Sequence, residues 1–476
     1  MTTSLKDIIY VDLDGTLTPS DILMESCLQL LRKRFVFLFS LLVWALKGGW
    51  RLKQEIAARL VPDLAGLPLR PEVLERLRVL KADGHELVLA SASLERDVLV
   101  VAQSVGLFDR VIASRTSNLK GAKKLAAIEA DAAGRPFSYM GDASVDVVIW
   151  QKCQTAYAVA PSRATRFKAV AAGVKLDVIV PSRIPFKAAR KSMRLQQWAK
   201  NALLFLPLLA AHQAVGELWV LALWAFLALG LVASATYIWN DLMDLPSDRK
   251  HPRKKLRPMA SGELPIFQAV IWMAILGVAG FAVAYVAVGW EFTSILLIYT
   301  VCTLLYTFVL KRVAFVDVLM LGMLYTLRVL AGGVATGIAV SSWLLAISLF
   351  VFLSLALVKR CAELEFLQQE GGDTPPGRGY QMSDLSYLVS MGISSGFMAV
   401  MVLALYVDSQ NGSILYSEPR ILWGICPVFL FWLMRIWILT SRREMIDDPV
   451  HFALNDKQSW LCFALVAVLV VAASLV

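Results

Sequence analysis

The sequence predicts an α/β domain built on a parallel sheet, followed by an all-α bundle of nine transmembrane helices. Three observations predict it. Short β-branched runs alternate with helical stretches up to about residue 180, long apolar runs fill the chain from about residue 199, and basic residues recur in every second connection between those runs. With 476 residues, 58% of them apolar, the chain is too long for one domain and too hydrophobic for an ordinary water-soluble protein.

In the first region "IIYVD", "ELVLAS", "RVIAS", "PFSYMGD", "TAYAV" and "LDVIVP" read as strands, with helical segments such as "SLERDVLVVAQSVG" and "GAKKLAAIEADAAG" between them. Residues 35–46, "FVFLFSLLVWAL", are apolar but too short to span comfortably. Arg32, Lys33, Arg34, Lys47, Arg51 and Lys53 flank them. They read as a buried helix of a domain insertion or, alternatively, as a helix that dips into a membrane interface. A basic amphipathic linker, "RIPFKAARKSMRLQQWAKN", follows. The spans then fall at 199–216, 218–239, 266–288, 292–310, 315–336, 342–358, 385–407, 419–440 and 457–476. The expected division is 1–182 for the α/β domain, 183–198 for the linker and 199–476 for the membrane domain.

Lys187, Arg190, Lys191 and Arg194 precede the first span. "DRKHPRKKLR", "KR" at 311–312, "KR" at 359–360 and "RR" at 442–443 follow the second, fourth, sixth and eighth. The other connections hold a single basic residue, Arg420, so the basic loops are expected to face the cytoplasm, together with the N-terminal domain. The opening "MTTSLKDIIYVDLDG" lacks a basic region, a long apolar run and a cleavage site, so no signal peptide is expected. The formal charge of +10 belongs to membrane-flanking loops, and no nucleic-acid partner is expected. Six scattered cysteines without a CxxC pair speak against disulfides or zinc.

Asp12 and Asp14 end the strand "IIYVD". Their spacing of two directs both carboxylates to one side of the strand tip before Gly15 turns the chain. Ligands of open α/β sheets bind at such tips. A carboxylate that attacks phosphate needs a divalent cation to neutralise charge and a second carboxyl to protonate the leaving oxygen. Later in the chain Ser91 can hydrogen-bond a phosphoryl oxygen, Lys124 can neutralise charge, and "GDASVD" offers Asp142 and Asp146 as metal ligands. This ordered set resembles the phosphoserine-phosphatase-like branch of the haloacid dehalogenase superfamily, a Rossmann-like fold with a helical cap between the first two motifs. The resemblance covers about residues 5–180. It implies Asp12 as nucleophile, Asp14 as general acid/base, Ser91 and Lys124 as phosphate binders, and Mg²⁺ among Asp12, Asp14, Asp142 and Asp146.

In the membrane region, "NDLMDLPSDRKHPRKKLRPMASG" places Asn240, Asp241, Asp244 and Asp248 at helical spacings of three and four, where Mg²⁺ could bridge the carboxylates to a diphosphate. Arg249, Lys254, Lys255 and Arg257 add positive charge for phosphate oxygens. A second polar segment holds Lys311, Asp317 and Arg328, the last deep enough in an apolar run to require a polar partner inside the bundle. Lys359, Arg360, Glu363 and Arg378 are further candidates.

These segments resemble UbiA-type intramembrane prenyltransferases, and within them decaprenyl-phosphate phosphoribosyltransferases. The likeness rests on "RLQQWAKNALLFLPLLA", the aspartate segment, "LKRVAFVDVLMLGMLYTLRVLAGG", and "KRCAELE" followed by "GRGY". Members that prenylate aromatic rings usually carry a second acidic cluster, whereas here Asp317 is followed four positions later by Leu321. The resemblance implies Mg²⁺-dependent transfer of 5-phosphoribosyl from phosphoribosyl diphosphate to a polyprenyl phosphate in the cytoplasmic membrane of a bacterium. Asp241, Asp244, Asp248, Lys311 and Asp317 would serve catalysis. The N-terminal domain would remove the product's 5-phosphate, towards a ribose or arabinose donor for a glycan. The alternative is prenylation of an aromatic acceptor beside an unrelated or scaffold-only N-terminal domain.

Overall fold

The computed structural model describes residues 7–64, 66–182, 186–369, 379–409, 416–445 and 448–475. The chain divides into two compact units: Met1–Met193 with Ile238–Trp272, and Arg194–Tyr237 with Met273–Val476.

The first unit is built on six parallel strands, β1 (Ile8–Val11), β2 (Glu86–Leu94), β3 (Arg110–Ser114), β4 (Phe137–Gly141), β5 (Ala156–Val159) and β6 (Leu176–Val180), in the order β3-β2-β1-β4-β5-β6. Alternation along β1 explains why the sheet is buried on both faces. Ile9 and Val11 enter a core with Leu87, Leu89 and Leu77, while Ile8 and Tyr10 enter another with Val88, Ala90 and Ile128. The helices are α1 (Ile22–Lys33), α2 (Phe37–Leu46), α3 (Gly49–Ala57), α4 (Pro71–Ala82), α5 (Glu95–Val105), α6 (Ala122–Ala132), α7 (Val147–Trp150), α8 (Arg163–Ala171) and α9 (Phe186–Ser192). The first four lie between β1 and β2, and Asp21 caps α1 by accepting from the Met24 N–H at 3.0 Å.

Helix α2 corrects the buried reading of residues 35–46. Only Leu41 is buried on it, while Val36, Phe39, Leu42 and Leu46 are exposed. Apolar residues occupy every side of so short a helix, so one packing face against the unit leaves the rest outside. Basic residues stand at both of its ends.

The chain is a multi-pass membrane protein. Among the described residues, eight helices are long and apolar enough to cross a membrane: Gly216–Met243, Ile266–Val288, Trp290–Phe308, Val316–Thr336, Ser342–Gln368, Met382–Val407, Pro419–Ser441 and Lys457–Leu475. The first of the nine expected spans differs. Leu195–Phe205 is a 3₁₀ helix and Leu206–Ala210 a short α-helix. Pro207 lacks an N–H for the ladder, and Lys200 and Asn201 turn inward to polar partners rather than keeping an apolar surface. At about 2 Å rise per residue the 3₁₀ stretch still makes the segment roughly 30 Å long. Residues before 194 and the loop after Met243 belong to one unit.

Candidate functional site

The tip of β1 carries the first cluster. Lys124, at the start of α6, is 4% exposed, and its Nζ lies 2.9 Å from Asp12 Oδ1 and donates to the Tyr139 hydroxyl at 3.1 Å. That hydroxyl donates to Asp146 Oδ1 at 3.1 Å. Asp12, Asp142 and Asp146 bring carboxylate oxygens within 4.8 Å of one another, the arrangement a hard divalent cation takes. Gly15 makes it possible. Its φ is +80°, and a Cβ there would fall 2.4 Å from Asp142 Oδ2.

Asp14 stands outside that cluster of carboxylates. Its carboxylate accepts from the Ser93 hydroxyl at 2.7 Å and from the Ile22 N–H at 2.9 Å. Burial, with Asp21 nearby, pushes it up to about 7. A carboxyl half protonated near neutrality can act as both acid and base. Burial, with repulsion from Asp12, pushes Asp146 up to about 6 and Asp142 well above the usual range. For Lys124, burial favours the neutral amine, but Asp12 and Asp146 outweigh it and raise the ammonium.

These carboxyls bind protons more tightly folded than unfolded, so stability falls as pH rises from the ordinary value of 3.8 through about 7. Without divalent cations, the melting transition of the N-terminal domain is expected to move down between about pH 4 and pH 7, and saturating Mg²⁺ to remove the decline. Calorimetry in chelator and in Mg²⁺ checks this. A flat Tm in chelator would contradict the mutual repulsion.

Three further groups escaped the sequence reading. Ser93 lines the cavity above Asp12 and Asp14, whereas Ser91 is 1% exposed and its hydroxyl accepts from the Ser93 N–H at 3.0 Å. Lys53, on α3, reaches the same cavity, donating to Ala92 O at 2.7 Å and Asn118 Oδ1 at 3.1 Å, and burial lowers its ammonium. Arg70 lines it too and donates to Gly15 O at 3.3 Å. A basic residue inside the insertion between the first two motifs was the available signal for Lys53.

The acids at the end of helix Gly216–Met243 and just after it belong to the same unit. Asp241 and Asp248 are each 3% exposed, and Arg257 Nη1 bridges them at 3.0 and 2.6 Å. Burial pushes Asp248 up to about 6 against the opposing pull of Arg257. Asp244, partly buried, donates its N–H to Asn240 O. As placed, Asp241, Asp244 and Asp248 do not gather into a cation-holding group, because Arg257 stands between two of them. Lys254 and Lys255 are exposed.

Arg249, expected at the substrate, is paired with a buried acid. Its guanidinium donates to Glu25 of α1 at 2.6 and 3.2 Å, with side chains 7% and 1% exposed, and Ser20 donates to Glu25 at 2.6 Å. Arg249→Met leaves Glu25 buried without a countercharge, a cost of about 3–5 kcal/mol. Limited proteolysis of the 250–262 loop is expected to accelerate accordingly. Unchanged cleavage would show that the pair does not hold the loop.

In the second unit Arg328 is 5% exposed and donates to Asn201 Oδ1 at 3.2 Å, the Tyr299 hydroxyl at 2.8 Å and Leu324 O at 2.8 Å. Asn201 keeps a buried amide nitrogen without a hydrogen-bond partner. Asp448 accepts from Lys200 at 2.7 Å and from Lys359 at 3.2 Å. Burial would raise its carboxyl, but Lys359 and Lys200 hold it well below the carboxylate range. Asp317 is fully buried, pairs with Arg360 and accepts from the Tyr306 hydroxyl at 2.8 Å, and Arg360 also pairs with Glu363. Arg360 and Asp317 are thereby committed to each other. Lys311 is half-buried on a 3₁₀ turn, Leu310–Arg312. Arg378 lies outside the described residues. Lys200 and Asp448 were missed because their acid–base pairing spans 248 residues.

Residues 202–455 match the model of the UbiA prenyltransferase family, and residues 9–148 that of haloacid dehalogenase-like hydrolases. The chain is 34% identical to the uncharacterized protein y4nM of Sinorhizobium fredii over 464 residues, 96% of this chain and 89% of the relative. It is 34% identical over 282 residues to the nodulation protein NoeC of Azorhizobium caulinodans, 59% of this chain and 91% of that one. Over 272 residues it is 33% identical to a decaprenyl-phosphate phosphoribosyltransferase of Mycobacterium tuberculosis, 56% and 87% of the two chains. A solved UbiA homolog from Archaeoglobus fulgidus, bound to GPP and Mg²⁺, aligns at 15% identity with a TM-score of 0.45, covering 60% of this chain and 99% of that one.

Proposed function

This chain belongs to the UbiA prenyltransferase family and carries a haloacid dehalogenase-like domain at its N-terminus, and on that premise we propose that it is a bifunctional enzyme of the bacterial cytoplasmic membrane. Its membrane domain transfers 5-phosphoribosyl from phosphoribosyl diphosphate to a polyprenyl phosphate. Its N-terminal domain, in the cytoplasm, removes the 5-phosphate of that product. Similarity along most of the phosphoribosyltransferase's length supports the first activity. The observation that carries the coupling is the phosphatase-type cavity of about 1130 Å³, part of whose wall is Gly262–Gln268, the entry to a membrane-crossing helix. A tethered phosphatase meets a lipid-bound product at high effective concentration.

In the transfer, an oxygen of the lipid phosphate bonds to the anomeric carbon as the bond to diphosphate breaks. Arg257, Lys254 and Lys255 supply positive charge for the departing diphosphate. In the hydrolysis, an Asp12 carboxylate oxygen bonds to phosphorus, the bond to the sugar oxygen breaks, and Asp14 gives that oxygen its proton. Water then attacks the phosphoaspartate, Asp14 takes its proton, and inorganic phosphate leaves. Lys124 neutralises the phosphoryl oxygens. Asp12, Asp142 and Asp146 would hold Mg²⁺, which when bound supplies further charge neutralisation.

The test is incubation of purified protein with Mg²⁺, polyprenyl phosphate and radiolabelled phosphoribosyl diphosphate, with lipids resolved by mass. A labelled ribosyl lipid without its 5-phosphate is expected. Its absence, together with turnover of a polyprenyl diphosphate and an aromatic acceptor, would replace this reading with aromatic prenylation.

A further inference from the structure

We propose that Lys187 and Lys191 form a second phosphate subsite in the phosphatase cavity, gripping the bridging phosphate of a lipid-linked sugar phosphate while Asp12 attacks its terminal phosphomonoester. This rests on the reading above and names the feature that selects its substrate. The cavity is larger than a phosphoryl group and a pentose require, and its chemistry changes along its lining. The carboxylates of Asp12, Asp14 and Asp142 stand at the β-strand tips, Lys187 and Lys191 come from α9, and Ile266 and Phe267 come from the start of a membrane-crossing helix.

An amphiphile with a terminal phosphate, a sugar, a bridging phosphate and an isoprenoid chain offers a partner to each of these acidic, basic and apolar parts of the lining. The two lysines stand four residues apart on α9, hence on one helical face, and both are exposed. Ala188 beside them also lines the cavity and is buried, which anchors that face. Lys191 donates to Leu256 O at 3.2 Å, which fixes its stem and leaves two N–H donors; Lys187 has no ion pair among the described residues. Glu263, which also lines the cavity, is exposed.

Gly262 brings the loop close. Its φ is +81°, and a Cβ there would lie 2.4 Å from Pro19, in the turn that follows Asp12 and Asp14.

The experiment uses the full chain in nanodiscs with Mg²⁺ and two substrates, polyprenyl-phosphoryl ribose 5-phosphate and p-nitrophenyl phosphate. In the Lys187→Ala/Lys191→Ala variant the ratio of kcat/KM for the lipid to that for p-nitrophenyl phosphate is expected to fall at least tenfold through KM. Lys187→Arg/Lys191→Arg should restore most of it. An unchanged ratio in the alanine variant overturns the subsite. Wild-type protein that hydrolyses p-nitrophenyl phosphate but not the lipid overturns both the subsite and the proposed substrate. Hydrolysis of neither overturns the phosphatase reading itself.

Discussion

Asp12→Asn is expected to lower phosphatase turnover by roughly 10⁴-fold or more, because an amide cannot replace the carboxylate nucleophile and the rest of the site retains only residual catalysis. With phosphoribosyl diphosphate and polyprenyl phosphate supplied, the variant should accumulate the phosphorylated lipid while wild type yields the dephosphorylated one. The substitution is nearly isosteric. It removes a charge from a group of three carboxylates, so it relieves repulsion with Asp142 and Asp146 and loses attraction to Lys124. No gross loss of folding is expected from the balance, and the transfer rate serves as the internal control. Equal product distributions from variant and wild type would separate the two activities.

The second large effect is in the membrane unit. Arg360→Met leaves Asp317, which is fully buried, without its guanidinium partner, and the cost is about 3–5 kcal/mol. The double variant Asp317→Leu/Arg360→Met removes both charges and is expected to recover most of that loss, since two apolar side chains of similar bulk suit a bundle interior. Thermal unfolding in detergent measures both. Transfer activity then separates the roles: a stable double variant without transfer marks Asp317 or Arg360 as part of the chemistry, and one with near wild-type transfer marks them as a structural pair. A single variant as stable as wild type would contradict the buried pairing.

The legible features of this chain were those with local periodicity. All six strands followed from alternation or short apolar runs, and Lys124 could be chosen because it stands four residues before Ile128, on the face that the fold buries completely. Chemistry set by long-range pairing was hidden. Arg249 sits in a basic run that reads as phosphate-binding, and only the fold brings Glu25 to it. Arg257 looks like one more base beside the acids, yet it bridges Asp241 and Asp248. Ser91 and Ser93 are two residues apart at one strand end, and hydrogen bonding, not spacing, decides which hydroxyl meets the cavity. Leu195–Ala210 shows the limit of hydropathy: the window is apolar enough, but Pro207 and two inward polar side chains remove the regular helix.

The Glu25–Arg249 pair also has a timetable. Its partners are 224 residues apart, and the candidate membrane span Gly216–Met243 lies between them. At about 5–20 residues per second, the ribosome makes Arg249 some 10–45 s after Glu25. Once residue 180 has been made the nascent N-terminal domain has all six strands, but it still lacks the arginine and the Gly262 turn that close over its motif. Final closure of the cavity around Asp12 therefore waits until helix Gly216–Met243 and the loop after it have been made, and a chain that stalls before then would present an open, incompletely assembled N-terminal domain to the quality-control proteases.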